Sequence, residues 1–261
     1  LRKQPLKRRL INSLMNMAAG LIYRHADLIF AGSQSSREYF IKHGVKDEKI
    51  VVLPDACDTP YCAAEDLRKK YGITSNKKVI LYFGRLLVQK GLHILIDALN
   101  ELPDKNDYVL IVAGDGENRE RCEKLITEYK LKNVIMCGWV NPNERLNYFQ
   151  SCDIFVFPGI FYEGRVDVWG LTLVEAIQNR KIVISTTAVG SAKDLIKDGV
   201  NGYLLDAEDE KKLVHELADA IEKCDSTLKD KAVEYDENLS KKYSFANMAE
   251  VYVNEISEIC K

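Results

Sequence analysis

The sequence has few of the residues and patterns from which metal centres, disulfide frameworks and membrane spans are built. Its seven cysteines are odd in number and scattered, and none forms a Cys-x-x-Cys pair, which argues against a zinc site or a disulfide scaffold and favours a reducing compartment. The four histidines have no clear partners, so neither metal chemistry nor a nucleophilic triad is expected. No apolar run approaches the roughly 18 residues of a membrane span. The sequence therefore predicts a cytoplasmic protein without a metal site.

Charge is nearly balanced over the whole chain but not along it. A formal net charge of −2 gives no indication of a nucleic-acid partner. Residues 1–50 nevertheless hold ten Lys or Arg against four Asp or Glu, and a broad apolar stripe at helical spacing covers residues 10–22. This pattern is typical of a helix that packs on its own domain and has a solvated basic end. It also fits peripheral contact with anionic lipid, and both interpretations stay open.

From about Asp27 the chain alternates apolar segments of strand length with amphipathic segments. Ser33 or Ser35 is expected to cap the helix after the first strand. Continuous apolar strands that alternate with helices indicate parallel strands buried on both faces, so a doubly wound α/β domain is expected from about residue 78. Strands are predicted at 28–32, 50–53, 78–83, 108–113, 133–137, 153–157, 181–185 and 203–205, and helices at 63–71, 91–101, 118–130, 143–150, 171–179, 192–197, 208–223 and 245–260.

Glycine-containing loops follow several of these strands, at the sheet edge where doubly wound domains bind their ligands. The loop at 84–91 carries Arg85, a planar fork, and Lys90, a mobile point charge, which together suit a diphosphate. A basic loop exposed to solvent would show the same residues. Trp139 and Val140 follow a later strand, where the indole would either stack on a nucleobase or pack partly into the loop.

The segment 167–176, Asp-Val-Trp-Gly-Leu-Thr-Leu-Val-Glu-Ala, is the most informative part of the chain. Gly170 precedes an apolar repeat at helical spacing, so it is expected to open a helix whose unpaired N–H groups suit a phosphate. Glu175 would lie in the first turns of this helix and Asp167 on the loop before it. The two carboxylates would then hold hydroxyl groups of a sugar nucleotide on either side of its diphosphate. A helix acid and a solvated loop acid would show the same spacing by chance.

Taken in order, these motifs resemble those of the retaining GT-B glycosyltransferases, also called glycosyl transferases group 1. The likeness extends from about residue 26 to residue 255. It implies two facing Rossmann-like domains with a donor cleft between them. The segments that carry it are 26–27 with Ser33, 53–58, 84–91, 113–116, 167–176 and 199–202.

The resemblance also implies the roles of individual residues. Arg85 and Lys90 would bind the donor diphosphate. Asp167 would contact the transferred sugar, and Glu175 would bind the ribose hydroxyls. Asp167 is one methylene shorter than the family's usual Glu, and Glu163 is the alternative for the same contact. No metal or cofactor is expected. The further donor-binding residues would be Gly84, Trp139, Val140 and, through backbone amides, Gly170, Leu171, Thr172 and Leu173.

The resemblance predicts a partial first domain. Residues before 26 do not supply the glycine-rich loop and acceptor-site residues that the family carries upstream. We expect residues 1–57 to be the end of an acceptor-side Rossmann-like domain and residues 58–244 to be the complete sugar-nucleotide-binding domain. Residues 245–261 would form a helix that packs back toward the first domain.

The implied reaction moves a sugar, with retention of configuration, from a UDP- or GDP-sugar to a hydroxyl of a saccharide or lipid-linked acceptor. The expected setting is polysaccharide or glycolipid synthesis in the cytoplasm, and contact with the inner membrane face through the basic first residues stays open. Two alternatives stay open. One is a sugar-nucleotide-binding module or fragment that does not catalyse transfer, and the other, less favoured, is a sugar-nucleotide epimerase of the same architecture.

Overall fold

The computed structural model describes residue 15, residues 18–58 and residues 65–260. Within these residues the chain forms two parallel sheets, one of two strands and one of six. Most of the predicted helix at 10–22 lies outside the described residues, and the part inside them belongs to a helix that includes residues 18–24 (α1). The predicted helix at 63–71 likewise begins outside them.

The first sheet pairs β1 (Ile29–Ala31) with β2 (Ile50–Val52) in parallel. Helix α2 (Gln34–Lys42) forms the crossover between the two strands. Its cap is Ser33, whose hydroxyl oxygen accepts the N–H of Ser36 at 3.0 Å. Of the two predicted caps, the first is therefore the one that the helix uses.

The larger sheet lies in the part of the chain predicted to be doubly wound. Its described strands are β3 (Lys78–Phe83), β4 (Tyr108–Ala113), β5 (Val134–Gly138), β6 (Ile154–Phe157), β7 (Ile182–Thr186) and β8 (Gly202–Leu205). Neighbouring strands are parallel, in the order β5-β4-β3-β6-β7-β8. The chain builds outward from β3 to β5 and then places β6 on the other side of β3. This reversal puts the topological switch point, where such sheets bind ligands, between β3 and β6.

Helices pack on this sheet in two groups. One contains α4 (Leu92–Glu101), α5 (Arg119–Glu128) and α9 (Glu210–Glu222), and the other contains α7 (Leu171–Gln178) and α10 (Ser226–Lys242). Residues 79–82 of β3 are all fully buried, as expected for a strand covered on both faces. The predicted doubly wound α/β fold is confirmed. The remaining helices of the described residues are α3 (Leu67–Lys70), α6 (Arg145–Ser151), α8 (Ala192–Leu195) and α11 (Phe245–Ile259).

Helix α10 is an element that the sequence analysis did not predict. Only three of its 17 residues are buried, Leu228, Ala232 and Asp236, and the last of these carries a polar carboxyl group. An apolar stripe this narrow gives little periodic signal. The helix is instead started by Asp225, whose side chain accepts the N–H of Leu228 at 2.8 Å.

The C-terminal helix α11 reaches the first sheet. The ring of Tyr252 lies 4.4 Å from the ring of Phe30, measured between centroids. None of the residues of α11 is buried, and Val253, Ile256 and Ile259 are exposed. No helix among the described residues is both long and apolar enough to cross a bilayer.

Candidate functional site

The loops that follow β3 and β6 are joined at the switch point. Gly91 has a φ of 73°, and a Cβ atom there would lie 1.8 Å from the carbonyl oxygen of Pro158. Glycine is therefore required where the two loops meet. The N–H of Ile160 also donates to the carbonyl oxygen of Gln89 at 3.0 Å. These contacts hold Lys90 beside the segment that follows β6.

Lys90 and Asp167 form an ion pair at this point. The ammonium nitrogen lies 4.8 Å from the centre of the Phe157 ring, and the lysine and aspartate side chains are 19% and 10% exposed. Burial, followed by the positive charge of Arg85, lowers the pKa of Lys90 to about 8. The Asp167 carboxylate acts in the opposite direction, because it favours the charged ammonium group. The structure thus brings together two residues that the sequence analysis assigned to different parts of the donor.

Gly170 opens α7 from a left-handed conformation with a φ of 76°, as the sequence predicted. Beside it, Trp169 is buried and its indole N–H donates to the carbonyl oxygen of Asp55 at 3.0 Å. This bond ties the turn to the segment after β2. The N–H of Leu173 donates to the carbonyl oxygen of Gly170 at 2.9 Å. A phosphate at this helix end would therefore meet the amides of residues 170–172, while the amide of Leu173, also predicted to bind it, is engaged within the helix.

Glu175 is on α7, as predicted, and faces a residue that the sequence analysis did not single out. It is 4% exposed, and its carboxylate pairs with the guanidinium of Arg145, the first residue of α6. Burial raises the pKa of Glu175, and Arg145 opposes that rise. The guanidinium carbon lies 5.4 Å from the centre of the Phe83 ring. The available signal was that Arg145 is a cation close after a strand at the ligand-binding edge, but no motif marks it.

An open cavity of about 350 Å³ lies beside these groups. It joins the loops after β3, β4 and β5 to the first turn of α7. Trp139 is 72% exposed at its rim. Lys90 and Asp167 are not among the described residues that line it. The lining residues are Phe83, Gly84, Arg85, Ala113, Gly114, Asp115, Trp139, Val140, Pro142, Arg145 and Thr172.

Glu163, the predicted alternative to Asp167, lies on an exposed turn between β6 and α7. It is exposed and has a positive φ of 49°, in a turn closed by the N–H of Arg165, which donates to the carbonyl oxygen of Tyr162 at 2.8 Å. Asp167 is the carboxylate paired at the switch point. Within the described residues, no group of three or more His, Cys, Asp or Glu side chains is placed to hold a metal ion.

Comparison with known proteins identifies the family. The model of the family described as glycosyl transferases group 1 matches residues 63–241. The chain belongs to this family. Its α/β fold with a parallel sheet matches GT-B glycosyltransferase structures, and the described residues form mainly one Rossmann-like domain.

Solved structures of a related protein contain a nucleotide or a sugar nucleotide. Anabaena Alr3699/HepE in complex with UDP is 26% identical, with a TM-score of 0.75, and the match covers 91% of this chain and 65% of that chain. The same protein in complex with UDP-glucose is 25% identical, with a TM-score of 0.75, and the match covers 93% of this chain and 67% of that chain.

Curated relatives are matched over shorter segments. A GDP-mannose-dependent alpha-mannosyltransferase of Corynebacterium glutamicum is 30% identical over 158 residues, 59% of this chain and 34% of that protein. An uncharacterized glycosyltransferase of Methanocaldococcus jannaschii is 29% identical over 138 residues, 52% of this chain and 34% of that protein. The chain thus spans about a third of the length of these two relatives.

Proposed function

We propose that this glycosyltransferase-family chain binds a UDP- or GDP-sugar between the loop after β3 and the first turn of α7. The observation that carries the proposal is the convergence of Arg85, Lys90 and the helix start at Gly170 around the switch point of the sheet. Two cations and a helix N-terminus are suited to a diphosphate. The UDP and UDP-glucose complexes of a relative support a nucleotide-sugar donor.

The donor is proposed to lie with its nucleoside in the cavity and its sugar toward Asp167. A volume of about 350 Å³ falls within the range of small-molecule sites, roughly 300–1,000 Å³. Trp139 and Val140 would flank the base, and Glu175 would accept hydrogen bonds from the ribose hydroxyls. Gly84 would let the diphosphate approach the backbone, and Asp167 would meet the sugar hydroxyls.

We further propose that the chain takes part in sugar transfer with retention of configuration. The bond between the anomeric carbon and the diphosphate oxygen breaks, and the acceptor hydroxyl oxygen bonds to the anomeric carbon. Arg85, Lys90 and the amides at residues 170–172 would stabilise the negative charge that develops on the leaving diphosphate. A leaving phosphate oxygen would take the proton of the acceptor hydroxyl, so no side-chain base or metal is required.

The acceptor is proposed to be a saccharide or a lipid-linked sugar, in polysaccharide or glycolipid synthesis on the cytoplasmic side of a membrane. The basic residues before residue 25 would supply contact with the anionic surface that presents a lipid-linked acceptor. This contact belongs to a part of the chain that lies mostly outside the described residues.

Titration calorimetry with UDP and with GDP tests the proposed donor site. Arg85→Ala and Lys90→Ala should each weaken binding about tenfold to a hundredfold, because a charged hydrogen bond to phosphate contributes roughly 1.5–3 kcal/mol. Arg37→Ala is the matched control, because Arg37 lies on α2, the helix between the two strands of the first sheet. This variant should bind like the wild type. Unchanged affinity in both site variants would rule out this position for the diphosphate.

A product assay separates the three candidate activities. The chain is incubated with UDP-glucose or GDP-mannose and a saccharide acceptor, and the products are resolved by mass spectrometry and chromatography. Glycosylated acceptor supports transfer, whereas a bound but unchanged or slowly hydrolysed donor supports a binding module. Conversion of the donor to a sugar isomer with the same mass identifies an epimerase.

A further inference from the structure

The pair between Arg145 and Glu175 connects two different loop regions of the candidate site. Arg145 begins α6, which follows β5, and Glu175 lies on α7, which follows β6. The arginine side chain is 35% exposed and the glutamate side chain 6%. Arg145 also lines the cavity proposed for the nucleoside. The arginine therefore contacts both the cavity and the buried acid.

The ionised form of Glu175 depends on this pair. A carboxylate with so little exposure is destabilised by loss of its hydration, which raises its pKa. Among the groups that shift this pKa, Arg145 is the one that lowers it. Cys57, after β2, also interacts with Glu175, and burial raises the pKa of that thiol to about 12. Among the described residues, Arg145 is therefore the group whose charge favours the ionised form of Glu175.

Arg145 itself has an unused hydrogen-bond donor. Its Nε is buried and has no hydrogen-bond partner within the described residues, while its guanidinium stacks over Phe83, another cavity residue. A buried N–H group without a partner carries a free-energy cost. Arg145 is held beside the cavity by its pair with Glu175 and by its contact with the Phe83 ring.

We propose that Arg145 is a positioning residue that holds Glu175 ionised and oriented toward the ribose hydroxyls of the donor nucleotide. The inference rests on the proposed donor site. It assigns to Arg145 the preference of that site for ribose over deoxyribose, since a carboxylate that accepts two hydroxyl hydrogen bonds distinguishes the two sugars. A protonated or displaced Glu175 would lose that distinction.

The test is a calorimetric comparison of UDP with 2′-deoxy-UDP, or of GDP with 2′-deoxy-GDP where the wild type binds GDP better, from pH 5.5 to pH 8. Wild type should prefer the ribonucleotide about tenfold over this range. Arg145→Met should lose most of the preference at pH 5.5 and regain part of it toward pH 8, because its Glu175 protonates at higher pH. Titration of the diphosphate is common to all the proteins and cancels in the comparison.

Three further variants show whether the pH dependence comes from the charge of residue 145 and acts through Glu175. Arg145→Gln keeps a polar side chain of similar reach without the charge and should show the same pH dependence, so the test survives if Arg145→Met fails to fold. Arg145→Lys should restore the preference for ribose at the acidic end of the pH range. Glu175→Gln should lose the ribose preference at every pH. Arg37→Met is the matched control.

Two results would overturn the inference, and they are distinguishable. If wild type binds neither UDP nor GDP, the proposed donor site fails and the role of Arg145 fails with it. If wild type binds and prefers ribose, while folded Arg145→Met or Arg145→Gln keeps the same preference and pH profile, the donor site stands and the assignment to Arg145 is wrong.

Discussion

Four charged side chains of the candidate site are paired with one another in the free protein. Lys90 pairs with Asp167, and Arg145 pairs with Glu175. A donor must therefore replace part of an internal ion pair when it binds, and the gain in binding free energy from each new contact is reduced by the contact that is lost. Because Asp167 is proposed to contact the sugar and Glu175 the ribose, substitutions of these two acids should affect different parts of the donor.

Asp167→Asn and Glu175→Gln are expected to separate the sugar from the nucleotide. Asp167→Asn should leave UDP affinity within about twofold and weaken UDP-glucose about tenfold, the equivalent of roughly 1.4 kcal/mol. Glu175→Gln should weaken both ligands. Calorimetry with the two ligands measures the difference, and Glu163→Gln tests the alternative sugar contact. A sugar-specific loss in Glu163→Gln would show that the exposed turn, and not Asp167, contacts the sugar.

The pKa of Lys90 predicts how donor affinity varies with pH. Burial lowers its pKa to about 8, and a diphosphate binds the charged ammonium form. Affinity for UDP should therefore change little between pH 7 and the pKa of Lys90. Above that pKa it should fall, by at most about tenfold per pH unit. Lys90→Arg should keep a flat profile up to about pH 9, because the guanidinium remains charged. The same fall in both proteins would assign the pH dependence to another group.

Helix α10 is the element with the clearest pH-dependent contribution to stability. Asp236 on this helix is fully buried. One of its oxygens accepts a hydrogen bond from Asn201 at 2.9 Å, and the other has no partner within the described residues. Burial raises the pKa of Asp236 to about 8. The folded state therefore holds this proton more tightly than the unfolded state does.

Stability should fall with rising pH while the folded state keeps this proton and the unfolded state loses it. Because its folded pKa is raised from 3.8 to about 8, its contribution is most favourable below pH 4 and declines as the pH rises toward 8. Denaturant unfolding should show that Asp236→Asn gains stability relative to wild type between pH 5 and pH 8, by at most about 1.4 kcal/mol per unit. Asp230→Asn, at an exposed position of α10, is the control. A constant difference between Asp236→Asn and wild type would contradict the account.

The elements differ in how far the sequence could predict them. The strands β3 and β4 were predicted with their observed bounds because continuous apolar runs end sharply at glycine or at polar residues. Helix α10 was missed because a helix with three buried positions has almost no apolar period. Arg145 was missed because its importance comes from a partner 30 residues away on another helix. Sequence periodicity records burial, but not which side chains from separate loops meet.

At the scale of the whole molecule, the division into residues 1–57, 58–244 and 245–261 stays a prediction. The larger sheet has its own core, while the first sheet has a small one formed by Ala31, Val45 and Ile50. Contacts such as Trp169 with Asp55 and Tyr252 with Phe30 join the two parts.

The basic start of the chain predicts salt-sensitive binding to anionic lipid. Five basic residues at roughly 1 kcal/mol each would give measurable adhesion at low salt. Co-sedimentation with vesicles should retain the protein only when anionic lipid is present, and replacement of all five by Gln should release it. Binding that ignores lipid charge, or no binding at all, would favour a helix that packs on its own domain. The five residues are Arg2, Lys3, Lys7, Arg8 and Arg9.

The central claim is that the donor diphosphate lies between the loop after β3 and the start of α7, and a crystal structure with bound UDP tests it most directly. The account predicts diphosphate oxygens about 2.7–3.2 Å from Arg85, Lys90 and the amides of residues 170–172. It also predicts the ribose hydroxyls on Glu175. A diphosphate bound away from this edge of the sheet, or one that touches neither Arg85 nor Lys90, would contradict it.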